Sequence, residues 1–216
     1  MNDFIKSPLN YTGNKYRILS QITEFFPKEI NCMIDLFCGG ATVGLNVNAK
    51  KVIFVDCNKQ VINLLIYLSN LSFDCFISLC ENLIEKYHLS YSYKYGYKKY
   101  KCQCHGKNDN NGLKDYNSEG FYQLRNDYNM LKDKNSSEAN IMLYMLMVYG
   151  FNNDIRFNAD GDFNLPVGKT DLNKNNVDKI KNYIDRVKTI EAQFLCMSFD
   201  SAEFKKILKE ADFVYM

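Results

Sequence analysis

The chain has 216 residues, 46% of them hydrophobic, a length that supports one substantial core or one core with a smaller appended domain. No apolar run approaches the roughly 20 residues that a membrane-spanning helix needs, and residues 1–10 lack the basic-then-apolar build of a signal peptide, so a cytoplasmic protein with no membrane partner is expected. The net charge of +2 with 24% charged residues of both signs is too balanced to announce a polyanionic partner by itself.

In chain order, Leu9-Asn-Tyr-Thr-Gly13-Asn-Lys15 is turn-rich, and Ile18, Leu19, Ile22, Phe25 and Phe26 follow at helical spacing until Pro27. Cys32-Met-Ile-Asp-Leu-Phe37 is a short apolar run ending in Gly39-Gly40, residues 42–48 read as helix, and Val52-Ile-Phe-Val55 is a second buried strand with Asp56 at its end. Strand, glycine turn, helix, strand and acid open a doubly wound α/β sheet. Apolar spacing is helical over 61–87 and again over 121–134. Between them lysine alternates with tyrosine across 86–107 (Tyr91, Tyr93, Lys94, Tyr95, Tyr97, Lys98, Lys99, Tyr100), which reads as an exposed loop, either simply solvated or suited to phosphate neutralisation and base stacking. Asn135 with Glu138 forms a capping box for the run Ile141-Met-Leu-Tyr-Met-Leu-Met-Val148, which is apolar on every face and so must be buried. A helix over 176–189 precedes strands at 192–198 and 213–216. The sheet therefore resumes after an inserted, mostly helical domain, with core segments 1–68 and 190–216 around an insertion over 69–189.

The 8 cysteines are scattered rather than set at disulfide-framework spacing and read as reduced thiols. Cys102-Gln-Cys104-His105 is the one local cluster, and it lacks a second pair at zinc-finger spacing, so no metal is expected.

Asp35-Leu-Phe-Cys-Gly39-Gly40-Ala-Thr-Val-Gly44, with Asp56 at the next strand end, brings two carboxylates and a glycine turn to one edge. Glycines let the backbone approach a ligand, and an acid at the second strand tip can accept from both ribose hydroxyls, which suits either a dinucleotide or S-adenosylmethionine. The acid before the glycines and the lack of G-x-G-x-x-G fit a cofactor with no pyrophosphate.

Three segments carry a specific resemblance. Tyr11-Thr-Gly-Asn-Lys15 resembles the N-terminal cofactor motif of Dam-like adenine-N6 DNA methyltransferases, Phe37-Cys-Gly-Gly-Ala their glycine motif, and Val55-Asp56-Cys-Asn58 their ribose-binding strand end, in the family's order. The resemblance implies a Rossmann-like fold that binds S-adenosylmethionine through Tyr11, Lys15, Asp35, Phe37, Gly39, Gly40 and Asp56. By the same resemblance Tyr11 packs on the cofactor, Lys15 reaches its carboxylate or orients a neighbouring acid, and Asp56 holds the ribose. Met197-Ser-Phe-Asp200 stands at the family's distance from the terminal strand, and the resemblance implies that Asp200 accepts from the cofactor's adenine amino group; by its own position it would cap the helix over 202–209.

Tyr149-Gly-Phe-Asn-Asn-Asp-Ile-Arg156-Phe-Asn158, continuing through Phe163-Asn-Leu-Pro166-Val-Gly-Lys169, resembles the family's target-recognition β-hairpin. The implied partner is double-stranded DNA, contacted by Phe151, Asn152, Arg156, Asn158, Pro166 and Lys169. Arginine can donate two hydrogen bonds to guanine O6 and N7, asparagine can pair with an adenine edge, and Phe151 lies where the family places an aromatic that enters the stack as the target base swings out. The segment departs from the family at Asn152-Asn153-Asp154, where Asn-Gly-Leu is common. No recognition sequence is therefore carried over.

Asp212-Phe-Val-Tyr-Met216 resembles the strand that leads into the family's Asp-Pro-Pro-Tyr loop, which the 216 residues do not include. The expectation is an adenine methyltransferase fragment that is inactive alone, in a restriction-modification setting where a cognate endonuclease is a possible partner. A non-catalytic DNA-binding module, a split enzyme completed in trans and a nicotinamide oxidoreductase stay open as alternatives.

Overall fold

The computed structural model describes residues 4–11, 13–104 and 109–216. It divides into two compact units, Met1–Asn70 with Lys179–Met216, and Leu71–Asp178, instead of at the expected 68/69 and 189/190.

The first unit is built on four parallel strands. After the short helix α1 (Leu19–Thr23) come β1 (Ile30–Leu36), β2 (Ala49–Asp56) and α2 (Lys59–Ser69). Its later elements are β3 (Glu191–Cys196), α9 (Ala202–Ile207) and β4 (Phe213–Tyr215), in the sheet order β3-β2-β1-β4. Residues of both pleat faces are buried, Cys32, Ile34 and Leu36 on one side and Met33 and Asp35 on the other, as a parallel sheet covered on both faces requires. Phe204 of α9 packs on the first face with Ile53 and Val55, while Phe54 stacks on Phe194 with centroids 4.7 Å apart. Asp212 fixes the entry to β4, accepting from the backbone N–H of Asn31 (3.0 Å) and of Cys32 (2.9 Å).

Two helices expected here are largely missing. The run 18–26 forms one short helix, and 42–48 forms only a 3-10 turn over Gly44–Asn46. Crowding explains the second. A Cβ on Gly44 would lie 2.4 Å from the Phe54 ring, and Asn46 spends its side chain on Ile5, accepting its N–H and donating to its carbonyl, and on the Thr42 carbonyl. Neighbours hold this segment in place of a helical ladder.

The second unit is helical: α3 (Phe73–Lys86), α4 (Ser92–Tyr95), α5 (Tyr97–Lys101), α6 (Lys114–Met130) and α7 (Ser137–Tyr149), followed by the start of α8 (Lys174–Val187). The expected single stretch 61–87 is two helices because Ser72 caps the second, accepting from the Cys75 N–H at 3.2 Å. Helix α7 is buried from Ala139 through Tyr149, and its cap is Ser136, one residue past the expected Asn135, accepting from the Ala139 N–H at 3.1 Å. Within the lysine-tyrosine stretch, 92–95 and 97–101 form two short helices where a loop was expected, and 105–107 lie outside the described residues. Tyr91 and Tyr100 are buried, Tyr93, Tyr95 and Tyr97 stay exposed, and the Lys99 ammonium sits 3.9 Å from the Tyr95 ring centre.

Helix α8 runs across the division between the units. In the first unit its Tyr183 hydroxyl donates to the Leu65 carbonyl at 2.9 Å, and Arg186 donates to the carbonyls of Leu45 and Val47. No single helix among the described residues is long and apolar enough to cross a membrane.

Candidate cofactor cavity and nucleic-acid interface

Strand order decides where a ligand fits. From β1 the chain steps outward to β2 and β3, then returns on the other side of β1 with β4. The direction of winding therefore reverses between β1 and β4, and in open parallel sheets ligands lie beyond the C-terminal strand ends at such a switch. A cavity of about 300 Å³ opens there, lined by Tyr11, Lys15, Asp35, Phe37, Gly39, Gly40 and Tyr215 among others.

Its floor is acidic. Asp35, paired with Tyr215 across β1 and β4, is 2% exposed and accepts the Gly44 N–H at 2.8 Å. Burial pushes its carboxyl up to about 7, against the lowering effect of the Gly44 hydrogen bond. The wall is the turn after β1, where Phe37, Gly39 and Ala41 have φ of 60°, 48° and 64°. Left-handed backbone at two non-glycine residues stores on the order of 1–3 kcal/mol each and persists only where neighbours enforce it. The N-terminal segment is that neighbour. A Cβ on Gly39 would meet the Tyr11 ring at 2.6 Å, and one on Gly40 would meet Ser7 Oγ at 2.5 Å. Ser7 donates to the Gly40 carbonyl at 2.6 Å. These glycines thus make room for the protein's own N-terminal strap, whereas the sequence pointed to room for a ligand.

The expected cofactor residues divide by position. Tyr11, Lys15, Asp35, Phe37, Gly39 and Gly40 all line the cavity. Asp56 stands behind it, accepting the Gly39 N–H and the Asn58 N–H, each at 2.9 Å, and so ties the second strand tip to the glycine turn. Lys15 is exposed and donates to the Gly13 carbonyl at 3.1 Å. Asp200 is exposed, does not line the cavity, and accepts from Ser198; Ser201 rather than Asp200 caps α9. Ser7, Asn58 and Tyr215 were missed. Serine and asparagine at those positions look like ordinary turn and cap residues, and only strand order brings Tyr215 beside Asp35.

In the second unit, residues 150–167 turn back on themselves through two isolated antiparallel bridges, Gly150 with Val167 and Phe157 with Phe163, not a regular hairpin ladder. Helix α6 holds the returning arm: Asn129 accepts the Phe163 N–H at 2.9 Å and donates to its carbonyl at 3.1 Å, and Arg125 donates to the Leu165 carbonyl at 3.2 Å. Phe151, Asn152, Arg156, Asn158, Pro166 and Lys169 are all exposed. Arg156 donates through Nε to Asn164 Oδ1 at 2.8 Å, which aims the guanidinium. Asn158 has a turn role: its side-chain oxygen accepts the N–H of Asp160 and of Asp162. Asn152 sits at φ 57°, the Pro166 carbonyl accepts the Phe151 N–H at 2.9 Å, and the Lys169 carbonyl accepts the Leu113 N–H.

Among the described residues no group of three His, Cys, Asp or Glu could hold a metal ion; the Cys102-Gln-Cys104-His105 cluster ends on His105, which lies outside them.

A four-stranded parallel sheet with an acid-floored cavity at its switch point and a glycine turn in the cavity wall defines an α/β protein with the fold of Rossmann-like methyltransferases. The sequence profile of D12 class N6 adenine-specific DNA methyltransferases matches residues 11–216, and the chain belongs to that family. It is 34% identical over 216 residues to the type II methyltransferase M.FokI of Planomicrobium okeanokoites, covering 99% of this chain and 29% of that protein. It is 31% identical to the modification methylase StsI of Streptococcus sanguinis, covering 99% and 28%. Against the DNA adenine methylase of Haemophilus influenzae it is 26% identical over 191 residues, covering 88% and 56%. The chain thus spans less than a third of the first two relatives.

Proposed function

We propose that this chain supplies the cofactor cavity and target-recognition arm of an enzyme that transfers a methyl group from S-adenosylmethionine to the N6 of an adenine swung out of duplex DNA. The observation that carries this is the cavity between the ends of β1 and β4, with a buried acid on its floor and no G-x-G-x-x-G cradle for a pyrophosphate. S-adenosylmethionine, when bound, contributes an electrophilic methyl on its sulfonium. Tyr11 offers its ring to the adenosyl moiety, Asp35 a carboxyl to the cofactor's polar groups, and Lys15 a cation for its carboxylate. Asp56 keeps the glycine turn in place, with acceptor capacity left for a ribose hydroxyl. On the DNA side, Arg156 reads a guanine edge and Phe151 takes the place of the departing base.

The exocyclic nitrogen of adenine is a weak nucleophile because its lone pair is delocalised into the ring, and methyl transfer needs acceptors held against its hydrogens. Residues 1–216 include no Asp-Pro-Pro-Tyr, and Asp35 and Asp56 are assigned to the cofactor side, so the chain binds cofactor and DNA but does not transfer the methyl group alone. The whole enzyme works in the cytoplasm beside a cognate endonuclease.

Titration calorimetry on residues 1–216 is expected to show binding of S-adenosylmethionine in preference to NAD, weakened at least tenfold by Tyr11→Ala, with no label passing from methyl-labelled cofactor to duplex DNA. Preference for NAD overturns the cofactor assignment, and label in the DNA overturns the claim of incompleteness.

A further inference from the structure

A second cavity of about 330 Å³ lies in the first unit, lined by Lys6, Ser7, Asn14, Tyr16, Arg17 and Lys179. Three of the six are cations and none is an acid. Among the described residues none of the three forms an ion pair. Lys179 is half-buried, its ammonium donating to Asn10 Oδ1 at 2.6 Å, and burial followed by the nearby Lys6 pulls its proton affinity down. The Lys6 ammonium lies 5.6 Å from the Tyr16 ring centre. Positive charge gathered without a carboxylate is unfavourable unless an anion joins it. The cavity shares Asn14 with the cofactor cavity, which puts the cations beside the place where the methyl donor is proposed to sit.

We propose that this cavity takes a backbone phosphate of the DNA strand being methylated, held by Lys6, Arg17 and Lys179. Arginine supplies five-donor recognition of a phosphate's oxygens and lysine a point charge, and Asn14 and Tyr16 add polar groups at the rim. The assignment rests on the proposed action on DNA. It adds a grip that is blind to sequence, since a phosphate contact positions the duplex without reading it.

The test is a salt titration of duplex binding by residues 1–216, comparing wild type with Lys6→Ala/Arg17→Ala, with Lys179→Gln, which keeps a donor for Asn10, and with Lys205→Ala/Lys206→Ala on α9 as a control. Each phosphate contact contributes about 0.9 to the slope of log K against log salt. The double variant is expected to lose about two from that slope, and to weaken binding by the same factor on unrelated duplexes, with cofactor binding unchanged; Lys179→Gln is expected to lose about one, and the control nothing. A wild-type slope in both variants overturns the phosphate assignment alone. Failure of the wild-type chain to bind any duplex overturns it together with the proposed DNA substrate. A competition arm uses inorganic phosphate against chloride at equal ionic strength. Tight phosphate binding that the variants abolish, beside an unaltered duplex slope, assigns the cavity to a free anion and overturns the DNA reading.

Discussion

Asp35 and Asp56 look alike in the sequence, each an acid at a strand end, yet their surroundings give them different work. Asp56 is satisfied by two backbone N–H groups and acts as a tie, while Asp35 faces a cavity with its carboxyl pushed up to about 7 by burial. An unfolded aspartate loses its proton near 4, so between about pH 4 and 7 the folded chain holds one proton more than the unfolded chain. Stability from this group is full below that window and is lost as pH rises through it, levelling off above about 7. The span amounts to a few kcal/mol at about 1.4 kcal/mol per pH unit. Asp35→Asn is expected to remove this slope and to unfold at higher denaturant than wild type at pH 8; a denaturant midpoint that falls equally in both proteins from pH 5 to pH 8 refutes it. The glycine motif was readable at this scale, but its reason was not, because the groups that crowd Gly39 and Gly40 come from 28 and 33 positions earlier in the chain. Contacts at that separation leave no periodic trace.

Helix positions followed from apolar spacing wherever one face, or every face, meets a core, as α7 and α8 do. Spacing failed where polar side chains set the boundary, at Ser72 and Ser136, and where tyrosine serves both as core and as surface, in α4 and α5. The arm over 150–167 shows the same limit, because its shape rests on Asn129 and Arg125 of α6, which carry no motif. Removing the Asn129 side chain leaves both the N–H and the carbonyl of Phe163 without their partner, at a cost of about 1–3 kcal/mol for each group kept from water. Asn129→Ala is therefore expected to speed hydrogen exchange at the Phe163 amide by at least tenfold and to weaken duplex binding, with S-adenosylmethionine affinity intact. Unchanged exchange at that amide would show that the arm holds itself.

At the scale of the whole molecule, one unit is contiguous and the other is made of two segments. The contiguous unit has its own buried interior, with Phe76 edge-on to Tyr144 at 5.1 Å and Tyr87, Tyr128 and Tyr149 fully buried. A polar network runs through it: Ser90 and Asn117 exchange two hydrogen bonds, and Ser90 donates to Asp171 at 2.8 Å. A segment with that much enclosed apolar surface meets the usual condition for independent folding. Residues 71–178 expressed alone are expected to give a helical circular-dichroism spectrum and a single cooperative thermal transition; a broad, non-cooperative melt contradicts this.

The sequence by itself determined the α/β class, the parallel strands with acids at their tips, the buried helical run over 141–148 and the family, because these depend on period and on short motifs whose residues are chain neighbours. Only the tertiary structure decided that β4 returns beside β1, that Tyr215 therefore stands next to Asp35, that the glycines yield to Ser7 and Tyr11, and that Lys6 and Arg17 meet Lys179. Each of those pairings joins residues far apart in the chain, and their energy comes from strand order and close packing, which no local pattern of residues encodes.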